Sequence, residues 1–300
     1  MYKWRSPLRY PGGKIKLAPF FKQLIISNPN IKHYIEPFAG GAGTAINLLL
    51  NGFVDHITLN DYDIAVYSFW NSLINYGLEF IERFDKTPIN IDEWNKQITL
   101  FKELEQKEAV ELTADETIKL GFATFYLNRT NFSGILRGAT PVGGMKQLGK
   151  WKMDYEFNKE RLRPLLLEII KYSNHISVTN FDITSSLIQL EKANTNFKAD
   201  ETLLFIDPPY VDQGKRLYLP IKTMDKHKQI ANQVEKLNAH WVLTYDAVDE
   251  LIDYYNFSSN RFLYTLRYHI KKHRNATEFL AISDKLLFNF EDIPNVINQI

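Results

Sequence analysis

The chain has 300 residues, 45% of them hydrophobic and 14% aromatic, enough to bury a substantial core as one large domain or as a domain carrying an insertion. No stretch approaches the roughly 20 apolar residues of a membrane span, and the start MYKWRSPLRY lacks the apolar core of a secretory signal, so a cytoplasmic protein is expected. A formal charge of +1 gives no global sign of a polyanionic partner, and zero cysteines exclude disulfides, thiolate zinc sites and cysteine nucleophiles together.

The segment from His33 to Phe38 reads as a short strand, followed by the turn Ala39-Gly40-Gly41-Ala42-Gly43 and a helix from Thr44 to Leu50. A second strand, His56 to Asn60, ends at Asp61, and Ile64 to Ile74 has the apolar spacing of a helix. Strand, glycine turn, helix, strand and acid make the opening of a doubly wound nucleotide-binding sheet. From about Glu79 to Leu127 the period is helical, rich in Lys and Glu and broken at Thr87-Pro88, which predicts a small helical insertion. Phe132 to Lys150, with Gly134, Gly138, Gly143, Gly144 and Gly149, suits a hairpin or an ordered loop. After a helix from Lys159 to Tyr172, candidate parallel strands lie at His175–Asn180, Thr202–Ile206 and His240–Tyr245, with a helix from Lys226 to Leu237 between the last two. Phe262–Ile270 and Glu278–Ser283 read as a closing antiparallel pair.

Charge is unevenly distributed along this order. Between Asn128 and Met153 the charged residues are Arg129, Arg137, Lys146, Lys150 and Lys152, with no acid among them. A second such stretch, Tyr254 to Ala276, carries Arg261, Arg267, Lys271, Lys272 and Arg274. Local patches of this kind can follow a phosphate backbone on a neutral protein, although each also reads as an ordinary solvated face.

Glycines after a first strand allow a ligand close to the backbone, and an acid ending the second strand can accept both hydroxyls of a ribose; Gly40, Gly41, Gly43 and Asp61 supply these parts. A pyrophosphate fingerprint needs a further glycine where Ile46 stands, and Glu36, just before the turn, would repel a pyrophosphate. Glu36 instead suits the amino group of a methionine-like ligand. A cofactor with ribose, adenine, sulfonium and amino acid but no phosphate is S-adenosylmethionine. Lys14, in Tyr10-Pro-Gly-Gly-Lys14, could reach that cofactor's carboxylate or simply be solvated.

The most informative feature is Asp207-Pro208-Pro209-Tyr210, directly after the apolar run Leu203 to Ile206. The prolines hold a stiff, extended backbone beyond the strand end, where ligands bind in an open α/β sheet. The exocyclic amine of a base is a poor nucleophile, because its lone pair is delocalised into the ring. The Asp207 carboxylate and the Pro208 carbonyl, each accepting one amino hydrogen, would localise that pair and stabilise charge developing on nitrogen, an effect typically of roughly 2.7 to 4 kcal/mol per well-placed partner. Tyr210 could stack on the base. Methylation at a pyrimidine ring carbon needs a covalent nucleophile, usually Cys, which this chain lacks.

Leu8-Arg9-Tyr10-Pro-Gly-Gly-Lys14, Glu36-Pro-Phe38-Ala-Gly40, Asn60-Asp61, Tyr126-Leu-Asn-Arg129 and Asp207-Pro-Pro-Tyr210, in this order, resemble the Dam-like DNA adenine methyltransferases over nearly the whole chain. The resemblance implies a Rossmann-like S-adenosylmethionine-dependent methyltransferase sheet, α/β and mostly parallel with one antiparallel C-terminal strand, and an inserted, mainly helical recognition domain carrying a hairpin. It implies a catalytic domain of residues 1–65 and 165–300 and a target-recognition insert of 66–164. Tyr10 and Lys14 would flank the cofactor, Glu36 would face its amino group, Phe38 and Gly40 would cradle it, Asp61 would take the ribose, Phe181 and Asp182 would bracket its adenine, and Asp207 would border it. Asp207, Pro208, Pro209 and Tyr210 would hold a base flipped from double-stranded DNA. Arg129, Asn131, Phe132 and Arg137 would lie near the DNA, with Phe132 either a wedge in the base stack or a core aromatic. A strict Phe-x-Gly-x-Gly pattern puts Ala42 at its last position, one place before Gly43, a departure that bears on the local cofactor loop.

The expected reaction is transfer of a methyl group to the amino nitrogen of adenine in DNA, by a monomer, with a cognate restriction endonuclease as a possible partner. Cytosine-N4 methylation, a non-catalytic DNA-binding relative and a nicotinamide oxidoreductase are the alternatives. No metal is expected, since His33, His56, His175, His227, His240, His269 and His273 show no ligand spacing.

Overall fold

The computed structural model describes residues 6–10, 14–193, 197–209, 221, 223–268 and 274–300. The first half of the chain forms α1 (Ala18–Ser27), β1 (His33–Glu36), α2 (Gly43–Leu50), β2 (His56–Asn60), α3 (Ile64–Asn75), α4 (Gly77–Lys86), α5 (Ile91–Leu104) and α6 (Ala114–Thr130). The second half forms α7 (Lys159–Lys171), β3 (Ile176–Thr179), α8 (Ile183–Ala193), β4 (Thr202–Ile206), α9 (Met224–Val234), β5 (His240–Asp246), α10 (Asp249–Asp253), β6 (Asn260–Tyr268), β7 (Arg274–Ile282) and β8 (Val296–Gln299).

The strands make one sheet in the order β3-β2-β1-β4-β5-β7-β6-β8. β4 is parallel to both β1 and β5, while β7 runs antiparallel to β5, and β6 antiparallel to β7 and β8. The order reverses between β1 and β4, because the chain first builds outward through β2 and β3 and then returns to the other side of β1. Ligands of open α/β sheets bind at the carboxyl ends of strands at such a reversal. β4 reads Thr-Leu-Leu-Phe-Ile and is buried at every position, as expected of a central strand covered on both faces.

The chain forms two compact units. One comprises Met1–Gly13, Gly40–Ala42 and Leu59–Asn180; the other comprises Lys14–Ala39, Gly43–Thr58 and Phe181–Ile300. In the first, α3, α4 and α6 bury an aromatic core in which Phe69 stacks on Phe125 at 5.7 Å and Phe84 on Phe157 at 5.6 Å. Gly121 lets α6 lie directly on α3, since a Cβ there would stand 2.3 Å from the Ser68 carbonyl oxygen. The start of α6 is fixed by a capping box, Thr113 with Glu116. In the second unit, Leu204 and Ile206 of β4 and Leu243 of β5 pack with Leu187 and Leu190 of α8 and Ile230 and Val234 of α9.

Of the hairpin expected after Phe132, only one antiparallel bridge forms, Asn131 to Pro141; the rest is an ordered loop. Positive φ at Ser133, Gly134, Gly138, Gly143, Gly144 and Gln147 turns the chain too often for a ladder to extend. β8, α1, α8 and α10 are elements that the sequence pattern did not predict. Among the described residues no helix is long and apolar enough to cross a membrane.

Candidate active site

In the second unit β1 and β4 lie side by side, Ile35 in register with Leu204, so Glu36 and Asp207 arrive together at their carboxyl ends. Glu36 is 5% exposed and its Oε1 accepts the Ala45 N–H of α2 at 3.0 Å. Burial, with the Asp207 charge adding to it and the Ala45 bond opposing it, pushes the Glu36 carboxyl up to about 8. Asp207 Oδ1 accepts the Thr244 hydroxyl of β5 at 2.7 Å and pairs with Lys14 Nζ at 3.2 Å. Burial raises the Asp207 carboxyl; Lys14 and Thr244 hold it down, and Glu278 of β7 pushes it up again. Lys14 Nζ is also 3.9 Å from Glu278 Oε2, and that oxygen accepts the Tyr264 hydroxyl of β6 at 2.6 Å. Pro208 is buried and Pro209 half-buried, whereas Tyr210 and the segment Pro11 to Gly13 lie outside the described residues. Phe38 and Phe181 pack against the core of this unit, and Asp182 caps α8 through the Thr184 N–H at 3.0 Å and the Thr184 hydroxyl at 2.7 Å.

In the first unit Asp61, directly after β2, closes a small cradle. Its Oδ2 accepts the Gly40 N–H at 2.8 Å, its Oδ1 the Asp63 N–H at 2.9 Å, and the Gly40 carbonyl accepts Trp70 Nε1 at 2.9 Å. Burial and the neighbouring Asp63 raise the Asp61 carboxyl to about 7, against the two N–H bonds and Arg137. Gly40 has φ +46°, and a Cβ on it would meet the Tyr10 ring at 2.5 Å, so both backbone and space require glycine. Ala42 also has φ +46°, the left-handed region. The departure from the glycine pattern therefore keeps the backbone shape at the cost of strain, because a Cβ disfavours that region.

The four residues expected near DNA are placed differently from one another, all in the first unit. Arg129 is 5% exposed and donates to the Pro7 and Ser6 carbonyls at 2.6 and 3.2 Å; burial, then Arg161, lowers its guanidinium to about 9. Asn131 is fully buried, accepting Trp94 Nε1 and donating to the Ile135 carbonyl, both at 2.8 Å. Arg137 clamps Asp63 through both terminal nitrogens at 2.6 and 2.9 Å and donates Nε to Glu105 at 2.7 Å. These three brace the loop from within. Phe132 is 54% exposed and faces outward.

Sequence reasoning misses Thr244, Tyr264 and Glu278, which the sheet carries to Asp207 and Lys14 from later strands. The signal for Glu278 is an acid at the head of the apolar run Phe279 to Ile282. Also missed is a hollow of about 490 Å³ in the first unit, lined by Lys150, Trp151, Lys152, Tyr155, Glu156 and Arg161 among others. Trp151 and Tyr155 are each about half exposed there, their rings 4.3 Å apart.

Known proteins match parts of this chain. A "Type II methyltransferase M.MjaIII" of Methanocaldococcus jannaschii is 21% identical over 69% of this chain and 70% of that protein. Two structures of the rRNA methyltransferase aviRa from Streptomyces viridochromogenes superpose with a TM-score of 0.36 at 11% and 10% identity, covering 91% of this chain and 86% of theirs. Residues 10–276 match the D12 class N6 adenine-specific DNA methyltransferase family, and a match of that extent makes this chain a member of it, a DNA methyltransferase specific for adenine.

Proposed function

We propose that Asp207 and the Pro208 carbonyl receive the two amino hydrogens of an adenine flipped out of duplex DNA, with Tyr210 stacking on the base, and that S-adenosylmethionine is the methyl donor. The observation that carries this reading is the position of Asp207, beyond the buried strand β4 and beside Glu36 at the reversal of strand order. The cofactor, when bound, supplies an electrophilic methyl sulfonium. The residues fit it. The Gly40 position admits no Cβ, and the Asp61 carboxylate uses two of its roughly four acceptor sites on N–H groups, which leaves room for ribose hydroxyls. Glu36 offers a buried carboxyl to an ammonium group. Tyr10, Lys14, Phe38, Phe181 and Asp182 complete the set taken from the family pattern. Asp207 orients the amine and stabilises positive charge on its nitrogen.

We assign residues 66–164 to target recognition and 1–65 with 165–300 to catalysis. Phe132 and the Lys150–Arg161 hollow present the exposed aromatic and basic groups suited to DNA, and Arg129, Asn131 and Arg137 shape the loop that carries Phe132. A monomer acting in the cytoplasm, alongside an endonuclease of the same specificity, completes the proposal. The test is methylation of DNA with labelled cofactor, followed by nucleoside analysis, with Asp207→Ala as control. N6-methyladenine that disappears in Asp207→Ala, with cofactor affinity largely kept, is the expected result. Near-normal methylation by that variant overturns the assignment of Asp207.

A further inference from the structure

The segment from Ser6 to Tyr10 belongs to no helix or strand, so its backbone polar groups find no partners in a ladder. Two adjacent residues of α6 supply them instead. Asn128 Oδ1 accepts the Arg9 N–H at 2.7 Å and its Nδ2 donates to the Arg9 carbonyl at 2.9 Å. Arg129 donates Nε to the Pro7 carbonyl at 2.6 Å and a terminal nitrogen to the Ser6 carbonyl at 3.2 Å. Asn128 and Arg129 are both buried, and a guanidinium is costly to bury. Here it fixes the path of a segment that has no regular structure of its own.

That segment lies against the glycine turn. The Ser6 hydroxyl donates to the Gly41 carbonyl, and a Cβ on Gly40 or on Gly41 would stand 2.5 or 2.9 Å from Tyr10. The Asp61 carboxylate holds the same turn at the Gly40 N–H, and Trp70 holds it at the Gly40 carbonyl. All of these residues belong to the first unit. We propose that Asn128 and Arg129 are positioning residues of the cofactor site, which set the Ser6–Tyr10 segment, and through it the Gly40–Gly41 turn, in the shape that receives S-adenosylmethionine. The pair stands at the end of α6, in the insert assigned to target recognition, yet it serves the cofactor and not the DNA. This inference rests on the glycine turn and Asp61 being the cofactor's cradle. Asn128 Nδ2 also donates to the Gly134 carbonyl at 2.9 Å, in the loop that carries Phe132. The side-chain hydrogen bonds of Arg129 go to Ser6 and Pro7, which makes it the cleaner probe.

The test uses Arg129→Met, which removes the donors and keeps the apolar stem, and Ser6→Ala, which removes the hydroxyl between segment and turn. Should Arg129→Met not fold, Arg129→Lys, which keeps the charge but not the fork, takes its place. Calorimetry with S-adenosylmethionine in the absence of DNA should show each variant binding about 5- to 10-fold more weakly, the loss expected from one or two displaced hydrogen bonds. The double variant should bind about as weakly as the weaker single one, because both changes act through one segment. DNA binding without cofactor should keep the parent slope of log affinity against log salt in Arg129→Met, whereas an arginine placed on a phosphate would lower that slope by roughly 0.9. A merely structural role lowers the urea midpoint and leaves the cofactor affinity of the folded protein unmoved. Cofactor affinity within twofold of the parent in either single variant, losses that multiply in the double variant, or a reduced salt slope overturns the proposal. Asp61→Ala reports separately on the cradle: a loss of affinity there without one in the Arg129 variant overturns this inference alone, and unchanged affinity in Asp61→Ala overturns the cradle and the inference together.

Discussion

Replacing Glu36 by glutamine should stabilise the ligand-free protein, and by an amount that grows with pH. The Glu36 carboxyl titrates at 4.5 when unperturbed and at about 8 in the fold. A raised carboxyl binds its proton more tightly folded than unfolded, so its contribution is fully present below the unfolded value and is lost as pH rises toward the folded one. At pH 7 the unfolded chain has released this proton and the folded chain has kept most of it, a penalty of about 3 kcal/mol at roughly 1.4 kcal/mol per pH unit. At pH 5 the same reasoning gives less than about 1 kcal/mol. Glutamine still accepts the Ala45 N–H and has no proton to lose. Any packing cost of the amide is independent of pH, so the slope carries the test. Urea unfolding of both proteins at pH 5, 6, 7, 8 and about 9 should show a gap that widens in favour of Glu36→Gln and levels off above about pH 8. His33, which burial lowers to about 4, contributes an opposite trend below pH 6.5 but is common to both proteins and cancels. A flat gap, or one widening in favour of the parent, would refute the reasoning.

Three further outcomes concern the first unit and one the cofactor. Ala42→Gly should raise stability by about 0.5 to 1 kcal/mol in thermal or urea unfolding, because φ +46° strains a residue with a Cβ. Arg137→Ala strands Asp63, 8% exposed at its side chain, and should cost about 3 kcal/mol, with Arg137→Lys a poor rescue because it cannot grip both Asp63 oxygens. Lys150→Ala with Lys152→Ala should weaken DNA binding for all sequences alike and flatten the plot of log affinity against log salt by roughly 0.9 for each phosphate no longer neutralised, measured by fluorescence anisotropy. Binding of S-adenosylmethionine near neutral pH should release protons from Glu36, since an ammonium beside it favours the ionised form; calorimetry in buffers of different ionisation enthalpy reads the number directly.

The strands that build the site were legible in the sequence because their signals are local. β2 and β4 lie where apolar runs end at Asp61 and Asp207, and a fully apolar strand between two turns has few other readings. The glycine turn was legible for a similar reason, and its one irregularity, Ala42, marked a place of backbone strain. Partners brought in by the sheet were not. Thr244, Tyr264 and Glu278 sit on β5, β6 and β7, and nothing in their local sequence says that the order β4-β5-β7-β6 will set them beside Asp207 and Lys14. The basic stretch from Arg129 to Lys152 divides in a way that its local sequence does not announce. Net charge along a segment does not tell which arginines will turn inward to satisfy carbonyls and acids, as Arg129 and Arg137 do, and which lysines will remain on the surface.

Three carboxyls stand at or just beyond strand ends, Glu36 buried and Asp61 and Asp207 half-buried, and all are raised above the usual carboxylate range, with loss of solvent the largest cause in each. A fold optimised for stability alone would replace such groups with apolar ones, since buried acids without full compensation are costly. Their cost is greatest when nothing is bound. In the proposed reading, an ammonium beside Glu36, ribose hydroxyls on Asp61 and an amine on Asp207 would each supply the hydrogen bond or opposite charge that the ligand-free protein leaves wanting. The free energy withheld from folding would then be available to binding, which is the usual relation between a functional site and the stability of the protein around it. Asp207 differs from the other two in one respect: its carboxylate pairs with Lys14 at 3.2 Å, and the lysine holds down a carboxyl that burial raises. In the proposed reading Glu36 and Asp61 serve the cofactor, and Asp207 keeps its charge for the amine because Lys14 and Thr244 favour its ionised form.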